Sequence, residues 1–383
     1  MSGDRENGND GLPAWSRDVA VEVLVHGAQS RAQLAKKLDL SPPTLTRIVR
    51  PLLESGVLVE TDAVRTPGPG RSSLPLDVVE DSQHFVGVKL TSESIYAVLT
   101  DLRANVVVSE TTEEPSLDVD DVVHAVAELV GRLCGRVDAK VDAVGVTVGG
   151  RVEKGETVAD SPFLHWHDVP FRTLLAGEVG LPLYLENDVV GLTKAQQWFG
   201  EGRTYSDFAL LTLGAGVGYG LVLGREVVPT WVSPFSHFPV DPHGPLCPLG
   251  HRGCMTAYAT SGAIAGAASL GHGRALTYEQ VLVMAQDGDP LSSRVIGEAA
   301  HAVGRAVAAI TSLTGVERII LSGEGVELVE VAADQFRAGR TAYHGGTGAL
   351  LDPVVMPMTF LEWARGAAVV AIQEVFPLRR DNP

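Results

Sequence analysis

The chain has 383 residues, 45% of them hydrophobic, and a formal net charge of −17 at pH 7. That length allows two or three domains with real cores, and the acidic balance excludes a protein that coats nucleic acid or anionic membrane over its whole surface. No apolar run approaches the roughly 18 residues of a membrane-spanning helix, the N-terminus is polar and acidic rather than signal-like, and the three cysteines, Cys134, Cys247 and Cys254, are too few for a disulfide framework. A cytoplasmic protein with no membrane partner is expected.

Residues 1–13, rich in Gly, Asn and Asp, read as a disordered tail. From Trp15 to His26, Val19, Val23 and Leu24 recur at helical spacing. Ser30 starts a second helix, with Gln33 placed to complete a capping box and Leu34 and Leu38 as its buried stripe. Asp39-Leu40 makes a short turn. Ser41 then caps a third helix, Pro42 suits its first position, and Leu45, Ile48, Val49 and Leu52 form its apolar face up to Gly56. Two short strands follow, Val57–Glu60 and Leu74–Val78, joined by a Gly/Pro loop from Arg65 to Arg71. Between Arg31 and Arg71 seven basic residues face four acidic ones, a local +3 within an acidic chain.

Three helices and a wing fit helix-turn-helix mechanics, in which the third helix enters the major groove of double-stranded DNA. Ser41, Thr44, Thr46 and Arg47 lie at its N-terminal end, off the apolar stripe. The Arg47 guanidinium suits a bidentate contact to guanine, and Thr methyl groups suit thymine. Arg50, Lys36 and Lys37 suit phosphates, which position without specifying. Arg71 on the wing suits the narrow minor groove. A helical interaction module with a solvated basic face is the plainer alternative. Residues 14–80 are therefore expected to form a winged helix-turn-helix, on the joint pattern of caps, turn, stripe, wing and charge.

Beyond Gln83 strands and helices alternate. Phe85–Leu90, Ile95–Asp101 and Val106–Glu110 read as a meander, followed by a helix near Asp120–Gly135 and a buried strand Ala143–Val148. Leu183–Leu185 is a short strand ending in Glu186-Asn187-Asp188. A second round runs through Phe208–Leu213, a glycine-rich turn, Gly220–Leu223, Ala-rich helices, the strand Arg318–Leu321 and a closing helix 363–375. The rhythm occurring twice predicts two related lobes in an α/β body.

Several segments of this body resemble the ROK family, a name that combines repressors, open reading frames and sugar kinases. The matching segments are Leu181–Asp188, Leu211–Gly218 and Cys247–Cys254, with Ile319–Gly325 and Arg365–Ala368 in order behind them. The resemblance implies an actin-like, ribonuclease-H-like body of two lobes over residues 81–383, with a cleft between them. An attached winged helix is the arrangement of the family's transcriptional regulators. The resemblance thus implies a repressor of carbohydrate-related genes, with a sugar or sugar derivative as effector. It would act on palindromic operator DNA as a homodimer or tetramer, one winged helix per half-site.

By the same resemblance Asp188 matches the kinases' catalytic Asp, Asn187 a sugar-binding Asn, and Gly214–Gly218 the second phosphate loop. The first phosphate loop, Asp-x-Gly-Gly-Thr in the kinases, reads Lys89-Leu90-Thr91-Ser92-Glu93 here. Lys89 replaces an acidic group, and Glu93 brings negative charge to a place meant for phosphates. Phosphoryl transfer depends on that placement, so no kinase activity and no ATP are expected, and Asp188 is a vestigial base. Three sugar contacts of the family are replaced as well, by Pro234, Thr256 and Phe163. Asn187, Asp188 and His237 remain as ligand-binding candidates, with Trp166, Trp231, His165 and His167 nearby in sequence. The family's zinc site matches at His237, Cys247 and Cys254, but Leu249 stands where its middle Cys would be. Either His251 or His243 could complete a tetrahedral set; otherwise the loop is metal-free. Two other classes are compatible with the sequence: a sugar kinase with an accessory DNA-binding domain, and a constitutive DNA-binding protein with a ligand-free body.

Overall fold

The computed structural model describes residues 14–61, 74–113, 116–229, 235–342 and 351–377. The tail 1–13, the wing with Arg65 and Arg71, and Trp231, Ser233 and Pro234 lie outside them. The chain divides into two compact units, Met1–Phe199 with Phe360–Pro383, and Gly200–Thr359.

The first unit opens with α1 (Ala14–His26), α2 (Arg31–Lys37) and α3 (Pro42–Glu54). Ser30 caps α2 in a full capping box with Gln33, so two donors left over at the helix start are satisfied reciprocally. Ser41 caps α3 by accepting from the Thr44 amide, and Pro42 sits where its missing N–H costs nothing. Leu45, Ile48, Val49 and Leu52 are buried, as the spacing requires. α3 also runs through Pro51, which has no N–H to offer the Arg47 carbonyl one turn back. β1 (Leu58–Glu60) and β2 (Leu76–Val78) pair antiparallel, and Gln29 bridges to Leu76 on the other side.

The same unit continues with β3 (His84–Leu90), β4 (Ser94–Thr100), β5 (Val106–Glu113), α4 (Val119–Cys134) and β6 (Val141–Val148). Then come β7 (Arg151–Glu153), β8 (Thr157–Ser161), β9 (Trp166–Val169), α5 (Phe171–Val179), β10 (Leu183–Asn187) and α6 (Asp188–Phe199). The main sheet has the order β10-β6-β3-β4-β5. Its β3–β4 and β4–β5 pairs are antiparallel, and its β3–β6 and β6–β10 pairs parallel. The small antiparallel sheet β7-β8-β9 is not evident from the residue pattern, because its short strands carry little alternation.

The second unit contains β11 (Phe208–Leu213), β12 (Val217–Leu223), β13 (Glu226–Val228), α7 (Met255–Ala259), α8 (Ser261–His272), α9 (Tyr278–Gln286) and α10 (Pro290–Thr314). It is completed by β14 (Ile319–Gly323), α11 (Leu328–Val331), α12 (Ala333–Thr341) and β15 (Val354–Pro357). Its sheet order, β13-β12-β11-β14-β15, repeats the first unit's pattern of three antiparallel strands followed by two parallel ones. This is the doubled rhythm of the sequence made structural.

The closing helix α13 (Phe360–Val375) starts three residues earlier than the periodicity suggested and returns to the first unit. It lies against the sheet at Gly87 and Gly145, where a Cβ would come within 2.0 Å of Ala364 O and 1.9 Å of Ala367 O. Only glycine admits that approach. One apolar cluster joins Val19, Leu24, Leu45 and Leu76 of the N-terminal region to Leu102, Trp198, Ile372 and Phe376 of the body. Arg103 reinforces the junction: it donates to Leu24 O at 3.3 Å, pairs with Asp77, and lies 3.0 Å from Glu80.

Candidate functional site

The N-terminal face of α3 is polar and open. Thr46, Arg47 and Arg50 are exposed and Thr44 is half-buried, all off the buried stripe. The hydroxyls of Ser41 and Thr44 are 2.8 Å apart, and Thr46 Oγ1 donates to Pro42 O at 2.9 Å. Arg50 donates to Glu54 at 2.7 Å, and that hydrogen bond raises its already high pKa. Lys37 pairs with Glu22 at 2.7 Å. Arg47 and Lys36, by contrast, have no ion-pair partner among the described residues. Of the cations assigned to DNA from the sequence, these two are the uncommitted ones, while Arg71 lies outside the described residues.

Asn187 and Asp188 sit where β10 hands over to α6. Asn187 Nδ2 donates to Gly150 O at 2.7 Å, and its Oδ1 accepts from the Val190 amide at 3.1 Å. Both ends of the amide are therefore in use. Asp188 Oδ1 accepts from its neighbour's amide, Val189 N, at 2.8 Å, and Oδ2 accepts from Lys89 Nζ. Lys89 is 5% exposed, and its Nζ lies 5.5 Å from the centroid of the Trp363 ring. The pair forms because β6 holds β3 and β10 in register on its two sides, Lys89 opposite Thr147 and Asn187 opposite Val148. Phe163, 42% exposed, covers the same spot, since a Cβ on Gly149 would meet its ring at 2.9 Å and Asp188 Oδ2 at 3.3 Å. The sequence flagged the sign reversal at Lys89 but not its partner.

Two neighbours in sequence are not neighbours in role. Trp166 is 3% exposed, its indole donates to Leu117 O at 2.8 Å, and its ring packs on Phe171. It is a core residue, not a platform for a sugar ring. His167 lies exposed, 3.0 Å from Asp160 on the paired strand β8.

In the second unit His237, Cys247, His251 and Cys254 gather their ligand atoms within 4.8 Å of one another. His237 Nδ1 lies 3.8 Å from Cys247 Sγ and 3.7 Å from Cys254 Sγ, and His251 Nδ1 lies 3.4 Å from Cys247 Sγ. A tetrahedral zinc with its usual bond lengths separates N and S ligands by about 3.6 Å, so the donor set fits that ion. Of the two histidines offered for the fourth position, His251 is in the cluster. His243 is exposed, and its backbone amide is turned to Asp241 at 3.0 Å. The knuckle closes because Gly253 adopts φ +62, where a Cβ would come within 1.5 Å of Asp241 O. Burial by itself would raise the Cys247 thiol pKa, but amide donation from Leu249 and the bonding around His251, Cys254 and Gly250 carry it below the ordinary value. Burial, then the nearby His251, lowers the His237 pKa and so favours the neutral, ligating imidazole. Thr256, standing where the family has a sugar-binding Glu, donates to Ser236 O at 2.8 Å and braces the residue before His237.

These features meet in the comparisons with known proteins. Residues 85–343 match the ROK family, and residues 22–59 match a winged helix-turn-helix DNA-binding domain. The chain belongs to the ROK family and carries a DNA-binding module at its N-terminal end. It is similar to the DNA-binding transcriptional repressor Mlc of Escherichia coli, 26% identical over 313 residues, which are 77% of this chain and 77% of that protein. It is also similar to the xylose repressor of Caldicellulosiruptor bescii, 22% identical over 340 residues, 83% of this chain and 85% of that one. Its fold is that of a ROK family transcriptional regulator homologous to E. coli Mlc, with a TM-score of 0.78 and 23% identity over 95% of this chain and 97% of that one. Among the described residues, no helix is long and apolar enough to cross a membrane.

Proposed function

We propose that the protein is a sequence-specific, DNA-binding transcriptional repressor of carbohydrate-related genes. The observation that carries this reading is the open N-terminal face of α3, where Arg47 is exposed and has no ion-pair partner among the described residues, on a helix suited to the major groove. Residues 14–80 act as the DNA-binding domain and residues 81–383 as the two-lobed sensing body, in the cytoplasm. Ser41, Thr44, Thr46 and Arg47 face bases, Lys36, Lys37 and Arg50 face phosphates, and Arg71 on the wing is assigned to the minor groove. A homodimer or tetramer places one winged helix on each half of a palindromic operator. The relatives named as repressors support the reading as a DNA-binding regulator.

The effector is a carbohydrate derivative without a transferred phosphate; its candidate contacts are Asn187 and Asp188 in the first unit, with His237 in the second unit as a separate candidate. The protein does not phosphorylate it. A proton acceptor for the sugar hydroxyl has to be free, and Asp188 is held by the buried ammonium of Lys89. His237, Cys247, His251 and Cys254 would hold a zinc ion, which when bound supplies a structural cross-link of this loop rather than chemistry.

Capture of genomic DNA by the full chain tests the operator half; random recovery without a common palindrome would sink it. Calorimetric titration with mono- and oligosaccharides, with and without operator, tests the sensing half. A kinase reading keeps one point in its favour, the intact Glu186-Asn187-Asp188, and sugar-dependent ATP consumption by the purified protein would establish it.

A further inference from the structure

The second unit carries a feature that neither the DNA-binding nor the effector reading uses. The turn from β11 into β12, Gly214-Ala215-Gly216, is held in a fixed shape. Gly214 N donates to Gly216 O at 3.0 Å, and Ser261 N donates to Gly214 O at 2.8 Å. The exit from β14 wraps this turn. Gly325 N donates to Leu213 O at 2.8 Å, and Gly323, at φ +103, lies so close that a Cβ would come within 2.3 Å of Leu213 O. Between those two glycines stands Glu324.

Its carboxylate lies directly over Gly214. A Cβ on Gly214 would meet Glu324 Oε1 at 1.9 Å, Cδ at 2.1 Å and Oε2 at 2.6 Å. Oε1 accepts from the Ala215 amide at 2.9 Å. A carboxylate oxygen on a backbone N–H, above a glycine that leaves the room for it, is the arrangement by which glycine-rich turns hold anions. Here the anion is the protein's own. An incoming phosphate would have to displace a tethered carboxylate or share its position at close range, where two like charges repel.

We propose that Glu324 is a specificity-determining residue that occupies the oxyanion position over Gly214 and bars phosphate-class ligands from this turn. The inference builds on the reading that the body senses a ligand without transferring phosphate, and it adds which residue enforces the exclusion. Polyphosphates and phosphate esters are refused by occupancy and charge, not by loss of the turn. The cradle is intact under the carboxylate.

The test uses the full-length protein, the variants Glu324→Ala and Glu324→Gln, inorganic tripolyphosphate as probe, and hydrogen exchange at the Ala215 amide. The unmodified protein should give no measurable heat with tripolyphosphate. Glu324→Ala should bind it at least about tenfold more tightly, a gain of about 1.4 kcal/mol. In that variant the Ala215 amide should exchange faster when free and regain protection with tripolyphosphate. Glu324→Gln keeps an acceptor oxygen and loses the charge, so it should keep the amide protected and bind the probe with intermediate affinity. Equal tripolyphosphate binding by the unmodified protein and Glu324→Ala overturns the proposal. So does unchanged Ala215 exchange, or faster exchange with no gained affinity. Operator binding by the same samples separates the two readings: the unmodified protein failing to bind any operator refutes the regulator, while the Glu324 result stands on its own.

Discussion

The N-terminal face of α3 and the Lys89–Asp188 site place their charges in opposite ways. On α3, Arg47 is exposed and meets no carboxylate among the described residues. In the first unit's sheet, Lys89 is almost wholly buried and spends its ammonium on Asp188, while both ends of the Asn187 amide are bonded to backbone. A surface that reads an external partner keeps its donors uncommitted. A site whose donors are already satisfied needs a ligand that competes with internal bonds, and it offers no free base. The contrast accounts physically for a chain that retains the residues of a kinase-like site and uses its N-terminal helices for output.

The largest effect expected from breaking this contrast is at Lys89. Lys89→Ala leaves the carboxylate of Asp188 without its partner, and removal of one member of a buried pair costs about 3–5 kcal/mol. For a body of this size that is a fall in Tm of roughly ten degrees. The double variant Lys89→Met, Asp188→Leu should recover most of it, because apolar replacement of both partners removes the unpaired charge. Thermal unfolding measured on the three proteins decides; an unchanged Tm in Lys89→Ala means that the pair does not form.

Next comes the metal cluster. His251→Ala should lower zinc affinity by at least about tenfold, since even supporting partners of metal ligands have effects of that size, and an excess of chelator should strip the ion from the variant first. His243→Ala should leave the metal content unchanged, because His243 is exposed and outside the cluster. Metal analysis of the purified variants checks both. Equal loss in the two would remove His251 from its assigned place, and zinc below about a tenth of an equivalent in the unmodified protein would end the metal reading.

How much of this was legible in the sequence depended on the range of the interaction. The caps at Ser30 with Gln33 and at Ser41 act over three residues, so the chain order displays them directly. The existence of two related lobes could be anticipated from the rhythm of strands and helices, but their sheet orders could not, and β7, β8 and β9 were too short and too weakly patterned to be seen. The Lys89–Asp188 bond spans 99 positions and exists only because β6 lies between β3 and β10. No local pattern encodes that. Trp166 makes a related point: it lies beside the sugar-site segment in sequence, but the pleat of β9 turns it inward onto Phe171. Glu324 lies 109 positions from the amide it accepts from, and the only hint was a charged residue between two glycines in Gly323-Glu324-Gly325.

On the DNA side, Arg47→Ala should weaken operator binding by about 1–3 kcal/mol, roughly 5- to 150-fold, and relax sequence preference at one position of each half-site. Gel-shift titrations against the captured operator and its single-base variants would measure both. Uniform weakening on every sequence would reassign Arg47 to a phosphate.

The smallest expected effect sharpens the comparison most closely, because it distinguishes two lysines on one helix. Lys36 has no ion-pair partner among the described residues, whereas Lys37 pairs with Glu22 at 2.7 Å. A lysine that neutralises a DNA phosphate releases counterions, and its loss lowers the salt dependence of binding by close to one unit in the log–log slope. Lys36→Ala should therefore reduce the slope by about one, with equal weakening on specific and nonspecific DNA. Lys37→Ala should change it less, since the Lys37 charge is already shared with a carboxylate that DNA binding would have to release. If the two variants lower the slope equally, the Glu22 pair opens freely on DNA, and commitment to an internal partner is no guide to which cations of this face reach the phosphates.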